Sequence, residues 1–324
     1  MSTSSDQQTI AICDPHFHLW DLPNRPNPNL GAAVEERLPT YLASDYHADM
    51  KTLPAPFRLE SRVHVETVVG QMEGGGVVDT VSETQWVCAQ LQPTAAACPF
   101  GLVAYVHLAR APEQTEQVIQ QHLEASAGRL RGIRMILNHH PQNPALTWAQ
   151  VESGELLRTD NFRQSMALLD RHDLAFDLSC HPHQVADAVA VLSGFPSLRV
   201  IINHIGFLHE GEDDAHEPLW REGMRALAAM PNVYIKLSML WFACEGYHED
   251  EAKGAKMRGI VLELIDLFGC DRCMFASNFP VDKVMGITIP ELYRGFMRWT
   301  EDRPSAERSA LFHDTAVKAY RLTP

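Results

Sequence analysis

The chain has 324 residues, 45% of them hydrophobic and 21% charged, a composition that excludes the disordered, collagenous and disulfide-scaffold classes. Its 27 basic and 41 acidic residues leave a formal net charge of -14, which repels polyphosphate and argues against nucleic acid as a partner. No run of 18 apolar residues and no basic start followed by an apolar stretch occurs, so neither a membrane span nor a secretory signal is expected and the chain reads as cytoplasmic.

In chain order, the first strand candidate is TIAICD at 9–14, followed by an insert at 21–61 that carries Pro23, Pro26, Pro28, Pro39, Pro54 and Pro56. So long an insert is either a lid over a pocket or a wrap that closes the outside of the fold. Further strand candidates are RVHVETVV (62–69), FGLVAYVHL (100–108), LRGIRMIL (130–137), DLAFDLS (173–179), LRVIINHIG (198–206), NVYIKLS (232–238) and RCMFASN (272–278). Most lack strict polar and apolar alternation, as strands of a parallel sheet covered on both faces should. Helical period appears at 113–125, 160–171, 182–193, 217–230, 287–299 and 304–321. It is clearest at 251–269, where Met257, Ile260, Val261, Leu264, Ile265 and Phe268 form one stripe. The glycines at 74–76 are expected to start or break a helix, and HEGEDDAHE (209–217) reads as a solvated loop. Eight strands alternating with helices, without a linker-like break, predict a single α/β domain over residues 1–324. Its expected form is a distorted (β/α)8 TIM barrel with a proline-rich insert after the first strand.

The seven cysteines are odd in number and scattered, which suits reduced thiols. Cys270 and Cys273 have redox or metal spacing but no second pair, and are expected to pack as ordinary thiols.

In a barrel the chemistry sits at the carboxyl ends of the strands. Here those ends bring Asp14, His16 and His18, then His64 and Glu66, His107, Arg134, Asp177 and His181, Asn203 and His204, Lys236, and finally Ser277 and Asn278. Side chains two apart on a strand share a face, so His16 and His18 can approach one ion. No GxGxxG, GxxxxGK[ST] or GxSxG motif occurs, which leaves dinucleotide, nucleotide and serine-hydrolase readings without support.

The stretches DPHFHLWD (14–21), HVET (64–67), GIRMIL (132–137), LSCHPHQ (178–184), IINHIG (201–206), VYIKLS (233–238) and MFASNFPVDK (274–283) run in order over nearly the whole chain. Together they resemble the amidohydrolase superfamily, in the branch of TIM-barrel metal-dependent hydrolases that includes sugar lactonases and 2-pyrone-4,6-dicarboxylate lactonase. The resemblance implies His16, His18 and His181 as ligands of a divalent metal, with zinc the expected ion, and His204 as the group that orients or polarises substrate. The branch also contains a lactonase that works without metal, so a metal-free site is the alternative. The family's strand-eight pattern resembles SDWP, whereas this chain reads Ser277-Asn278-Phe279-Pro280. Asn278 has an acceptor oxygen but no basicity at neutral pH, so it cannot be the general base. Glu66, His204 and Asp282 are the remaining candidates, and restoring aspartate at 278 is expected to preserve or raise activity.

The function expected from this resemblance is a hydrolase that opens a lactone or similar cyclic ester in carbohydrate or aromatic catabolism, by attack of an activated water. His204 and Lys236 would stabilise the oxyanion, and Arg134 would pair with a carboxylate of an anionic lactone. His64 and Tyr46 are further substrate-side candidates. Against this, Arg134 and Lys236 could instead brace the barrel as buried ion pairs with Glu66 or Asp177. The rival functions are a metal-dependent decarboxylase of the same superfamily and a catalytically impaired barrel that only binds a small molecule. The sequence leaves the assembly open between a monomer and a homodimer.

Overall fold

The computed structural model describes residues 9–27, 32–67, 72–73, 77–78, 80–211 and 215–322. The glycines at 74–76, Pro28 and residues 212–214 of the acidic stretch lie outside the described residues.

All eight apolar runs become parallel barrel strands. They are β1 (Ile10–Phe17), β2 (Phe57–Val65), β3 (Phe100–Tyr105), β4 (Leu130–Ile136), β5 (Ala175–Ser179), β6 (Val200–Ile202), β7 (Val233–Leu237) and β8 (Cys273–Phe275). Each pairs with its chain-order neighbours. The ring closes just past β8, where Phe17 bridges Phe279, His18 N donates to Phe279 O at 2.7 Å and Asn278 N donates to His16 O at 2.8 Å. This is the (β/α)8 barrel that the alternation predicts.

The barrel helices are α1 (Thr80–Leu91), α2 (Pro112–Ala125), α3 (Asp160–Arg171), α4 (Val185–Leu192), α5 (His216–Ala228), α6 (Glu251–Phe268) and α7 (Ile289–Trp299). In α6 the six stripe residues are all buried, and Asp250 caps the first turn by accepting from Lys253 N. The helix ends at Gly269, whose φ of 86° a side chain would resist. Sequence periodicity missed α1 because its buried stripe reads Thr80, Glu83, Thr84, Val87 and Leu91. The spacing is helical, but three of those five positions are polar.

The lower barrel interior is filled by inward residues of successive strands: Cys13, Val63, Val65, Val103, Ala175, Ile201, Tyr234 and Met274. β4 contributes Gly132, where a Cβ would stand 3.0 Å from Ala175 O. The terminal segment is helical from Ser305 to Ala319, as expected, with a wider π turn at Ala310–Asp314. Its Ala316, Ala319, Tyr320 and Leu322 pack into this same cluster, so the chain end plugs the amino-terminal face.

In its described residues the proline-rich insert wraps the outside of the fold, and none of them lines the cavity at the strand ends. Trp20–Asp21 pairs antiparallel with Thr40–Tyr41, and the helix Ala43–Met50 buries Tyr46 and Met50. All seven cysteines are free; Cys270 Sγ faces Glu307 while Cys273 Sγ faces Leu264 O, as two separately packed thiols would.

Candidate active site

Burying charge inside a barrel requires partners, and Lys236 and Arg134 each have a carboxylate. Lys236, from β7, is fully buried and donates to Asp177 Oδ2 at 2.6 Å, His16 Nδ1 at 3.1 Å and Asn203 Oδ1 at 3.4 Å. Its three N–H groups are therefore spoken for. Burial lowers its pKa to about 8, against the pull of Asp177. Tyr320, on the plug, donates to both oxygens of Asp177 at 2.9 Å. Higher in the barrel, Arg134 Nε donates to Glu66 Oε1 at 2.5 Å and Nη2 to Glu66 O at 2.6 Å. Both cations thus sit in the bracing ion pairs that the sequence offered as the alternative to substrate binding. Arg134 still lines the mouth, whereas Lys236 lies beneath it.

The histidines of β1 form a chain whose protons can be assigned. Val65 O only accepts, so the 2.7 Å contact from His18 Nδ1 places a proton there. Burial holds His18 well below its ordinary pKa and therefore neutral, so its Nε2 is an acceptor. His16 Nε2, 3.2 Å away, must then donate. The neutral His16 presents a bare Nδ1 to the Lys236 ammonium, its own pKa pushed well down by burial and by Lys236.

That assignment bears on metal binding. A separation of 3.2 Å would let both Nε2 atoms face one ion. Ligation by His16 Nε2, however, would move its proton to Nδ1, directly against the Lys236 ammonium, where metal-bound histidines normally find an acceptor. The third expected ligand is elsewhere: His181 Nε2 contacts Leu146 O at 2.8 Å, and its ring packs against His140, His183 and Phe207. Burial takes its pKa down to about 4. Among the described residues no group of three or more His, Cys, Asp or Glu converges as a metal would require. The residues present do not fit the three-histidine centre expected from the sequence.

Above this chain lies a cavity of about 330 Å³ at the carboxyl ends of the strands. His18, Arg134, His204 and Asn278 line it on the barrel side, and Leu146, Trp148, Met239, Trp241 and Phe242 wall it. A larger groove of about 530 Å³ lies between α6 and α7 and holds none of the strand-end groups.

The backbone is strained where it delivers these side chains. His204, Met239 and Asn278, past the ends of β6, β7 and β8, have φ of 53°, 53° and 54°. Each such non-glycine residue costs on the order of 1–3 kcal/mol and persists only where surrounding contacts dictate it. At His204 the strain runs through Ile205, Gly206 and Phe207, and Trp220 Nε1 pins the turn by donating to Ile205 O at 2.7 Å. His204 Nδ1 lies 3.0 Å from Ser238 Oγ, which leaves Nε2 on the cavity side. Burial keeps this imidazole neutral, its pKa well below the ordinary value.

Asn278 Nδ2 donates to Asp282 Oδ1 at 2.9 Å, and this fixes the amide with Oδ1 toward the cavity. Trp241 Nε1 donates to the same carboxylate oxygen at 2.8 Å. Burial raises the Asp282 pKa to about 7, and its Oδ2 has no hydrogen-bond partner. The carboxyl group expected at 278 is therefore present one helical turn later, behind the amide.

Two other sequence candidates fall outside the mouth. Tyr46 stacks on Phe17 at 4.0 Å and donates to Asp14 Oδ2 at 2.9 Å, bracing the outer side of β1. His64 Nε2 accepts from Leu19 N at 3.1 Å, and burial takes its pKa to about 3. Ser238, Met239, Trp241, Phe242 and Trp148 were not singled out from the sequence. Their only signal was position, in the segments that follow β7 and β4.

Residues 13–322 match the amidohydrolase family. The chain belongs to that family. It is 33% identical over 321 residues to the uncharacterized protein y4mH of Sinorhizobium fredii, covering 97% of this chain and 99% of that one. It is 28% identical over 317 residues to an L-fucono-1,5-lactonase of Burkholderia multivorans, with 95% of each chain covered. A solved amidohydrolase from Burkholderia multivorans with bound zinc superposes with a TM-score of 0.77 at 23% identity, over 97% of this chain and all 100% of that one. At that identity the superposition supports the barrel fold alone. An amidohydrolase-family hydrolase is thus established at the level of the family.

Proposed function

We propose that this amidohydrolase opens a lactone or similar cyclic ester, with His204 as general base. The observation that carries the proposal is access: of Glu66, His204 and Asp282, only His204 lines the cavity. Glu66 is held by Arg134, and Asp282 stands behind Asn278 and Trp241.

In this reading Asn278 Oδ1 accepts one hydrogen of the attacking water and His204 Nε2 takes the other as the water oxygen bonds to the ester carbon. Arg134 Nη1, the nitrogen not committed to Glu66, faces the developing oxyanion. Collapse of the tetrahedral intermediate breaks the ring C–O bond. The His204 imidazolium, strongly acidic in its buried setting, returns its proton to the leaving oxygen, and the product is a hydroxy acid. No step is routed through a metal, because His181 is turned to Leu146 O and the three-histidine donor set expected from the sequence is not assembled among the described residues.

The test is a pH-indicator screen of lactones with the purified protein, run beside carbon dioxide detection on unsaturated acids. Acid release from lactones without carbon dioxide supports the proposal. Carbon dioxide release without ring opening would replace it with decarboxylation.

A further inference from the structure

We infer that the lactone accepted here is uncharged and carries an apolar flank, rather than being a polyhydroxylated sugar ring or a carboxylated one. The inference rests on the lactonase reading above and concerns the substrate class of the same cavity.

The charge on the floor is already matched. Arg134 is the cationic side chain among the described lining residues, and its guanidinium is bound to Glu66 through two nitrogens. Lys236 lies below the mouth with all three donors used by Asp177, His16 and Asn203. A substrate carboxylate would have to be desolvated without an uncompensated cation to receive it.

Apart from Gln150, whose Oε1 is buried without a partner, and the three groups assigned above to the reacting ester and water, the polar atoms of the described wall are committed. Thr67 Oγ1 donates to Glu83, Trp241 Nε1 and Asn278 Nδ2 both serve Asp282, and Thr147 Oγ1 accepts from His140 N. His18 uses one nitrogen on Val65 O and the other on His16. The several ring hydroxyls of a sugar would therefore lose water and find, in the described wall, Gln150 as their uncommitted partner. What the wall offers is Ile136, Leu146, Trp148, Met239 and Phe242. Such a surface recognises an alkyl or aryl flank by burial and ring contact.

The experiment compares kcat/KM of the purified protein for dihydrocoumarin, D-glucono-1,5-lactone and 2-pyrone-4,6-dicarboxylate. In parallel, binding of 3,4-dihydroquinolin-2-one, the lactam analogue of dihydrocoumarin, is followed by quenching of intrinsic tryptophan fluorescence. The expected result is at least about a tenfold preference for dihydrocoumarin, reduced about tenfold or more in Trp148→Ala, with quenching by the lactam. Equal or better turnover of the sugar lactone or the dicarboxylate overturns the inference while leaving the lactonase reading intact. Quenching without turnover of any lactone overturns the lactonase reading and retains the apolar class. Neither quenching nor turnover overturns both.

Discussion

Lys236 Nζ stands 3.1 Å from His16 Nδ1, and that contact decides which nitrogen of His16 carries the proton. The same ammonium is the buried partner of Asp177 at 2.6 Å. Lys236→Met therefore leaves Asp177 with only the Tyr320 hydroxyl among these partners, and should lower unfolding free energy by about 3–5 kcal/mol in denaturant titration. Adding Asp177→Asn should recover a substantial part. A single variant as stable as wild type would remove the pair from its bracing role.

The wrong tautomer of His16 and the displacement of His181 give a prediction about metal. Lactone turnover should survive dialysis against a chelator, and elemental analysis of the active protein should find zinc well below one per chain. Stoichiometric zinc with activity lost on chelation and regained on adding it back would contradict the tautomer assignment.

Asn278 and Asp282 together invert the expectation drawn from the sequence. With Asp282 already raised to about 7, Asn278→Asp would replace its amide donor by a second carboxyl, and the pair would share a proton near neutral pH. The single variant should be less active than wild type at pH 7, with kcat reduced about tenfold or more, since part of a well-placed water contact is worth that much. Combining it with Asp282→Asn restores a donor and should recover activity. A single variant at or above wild-type activity would restore the simpler expectation.

Glu83 gives stability a pH dependence. Burial, and secondarily the charge of Glu66, raises its pKa from 4.5 to about 8, while Thr67 N and Oγ1 donate to it. Between those values the folded protein holds a proton that the unfolded chain has lost, so this group's contribution falls as pH rises from 4.5 to about 8. The loss across the window is on the order of a few kcal/mol. Glu83→Gln keeps an acceptor for Thr67 and should flatten that part of the curve measured by denaturation at successive pH values. An unchanged curve would show that Glu83 does not carry the dependence.

Much of the architecture was legible because apolar runs and helical stripes report burial directly, as the six positions of α6 do. Helix α1 was hidden because Glu83 and Thr84 occupy its buried stripe. The strand-end rule brought His18, Arg134, His204 and Asn278 to one cavity. It misplaced His181, which shares the HxH spacing at 181–183 but turns to Leu146 O; Tyr46, a candidate from the insert and not from a strand end, is carried to the outside of β1. Sequence spacing gives the face of a strand, whereas ring orientation depends on partners from distant segments. The substitution of Asn278 was visible; its hydrogen bond to Asp282 was not, because it follows from a left-handed residue at 278.

The central claim is that His204 takes the proton from water in this cavity. Its most direct test is the kcat of His204→Gln on a hydrolysed lactone, with lactam binding followed by tryptophan fluorescence in the same samples. The expected result is a fall in kcat of about 10²–10⁴ with binding essentially unchanged. A kcat close to wild type in the folded, ligand-binding variant would contradict it.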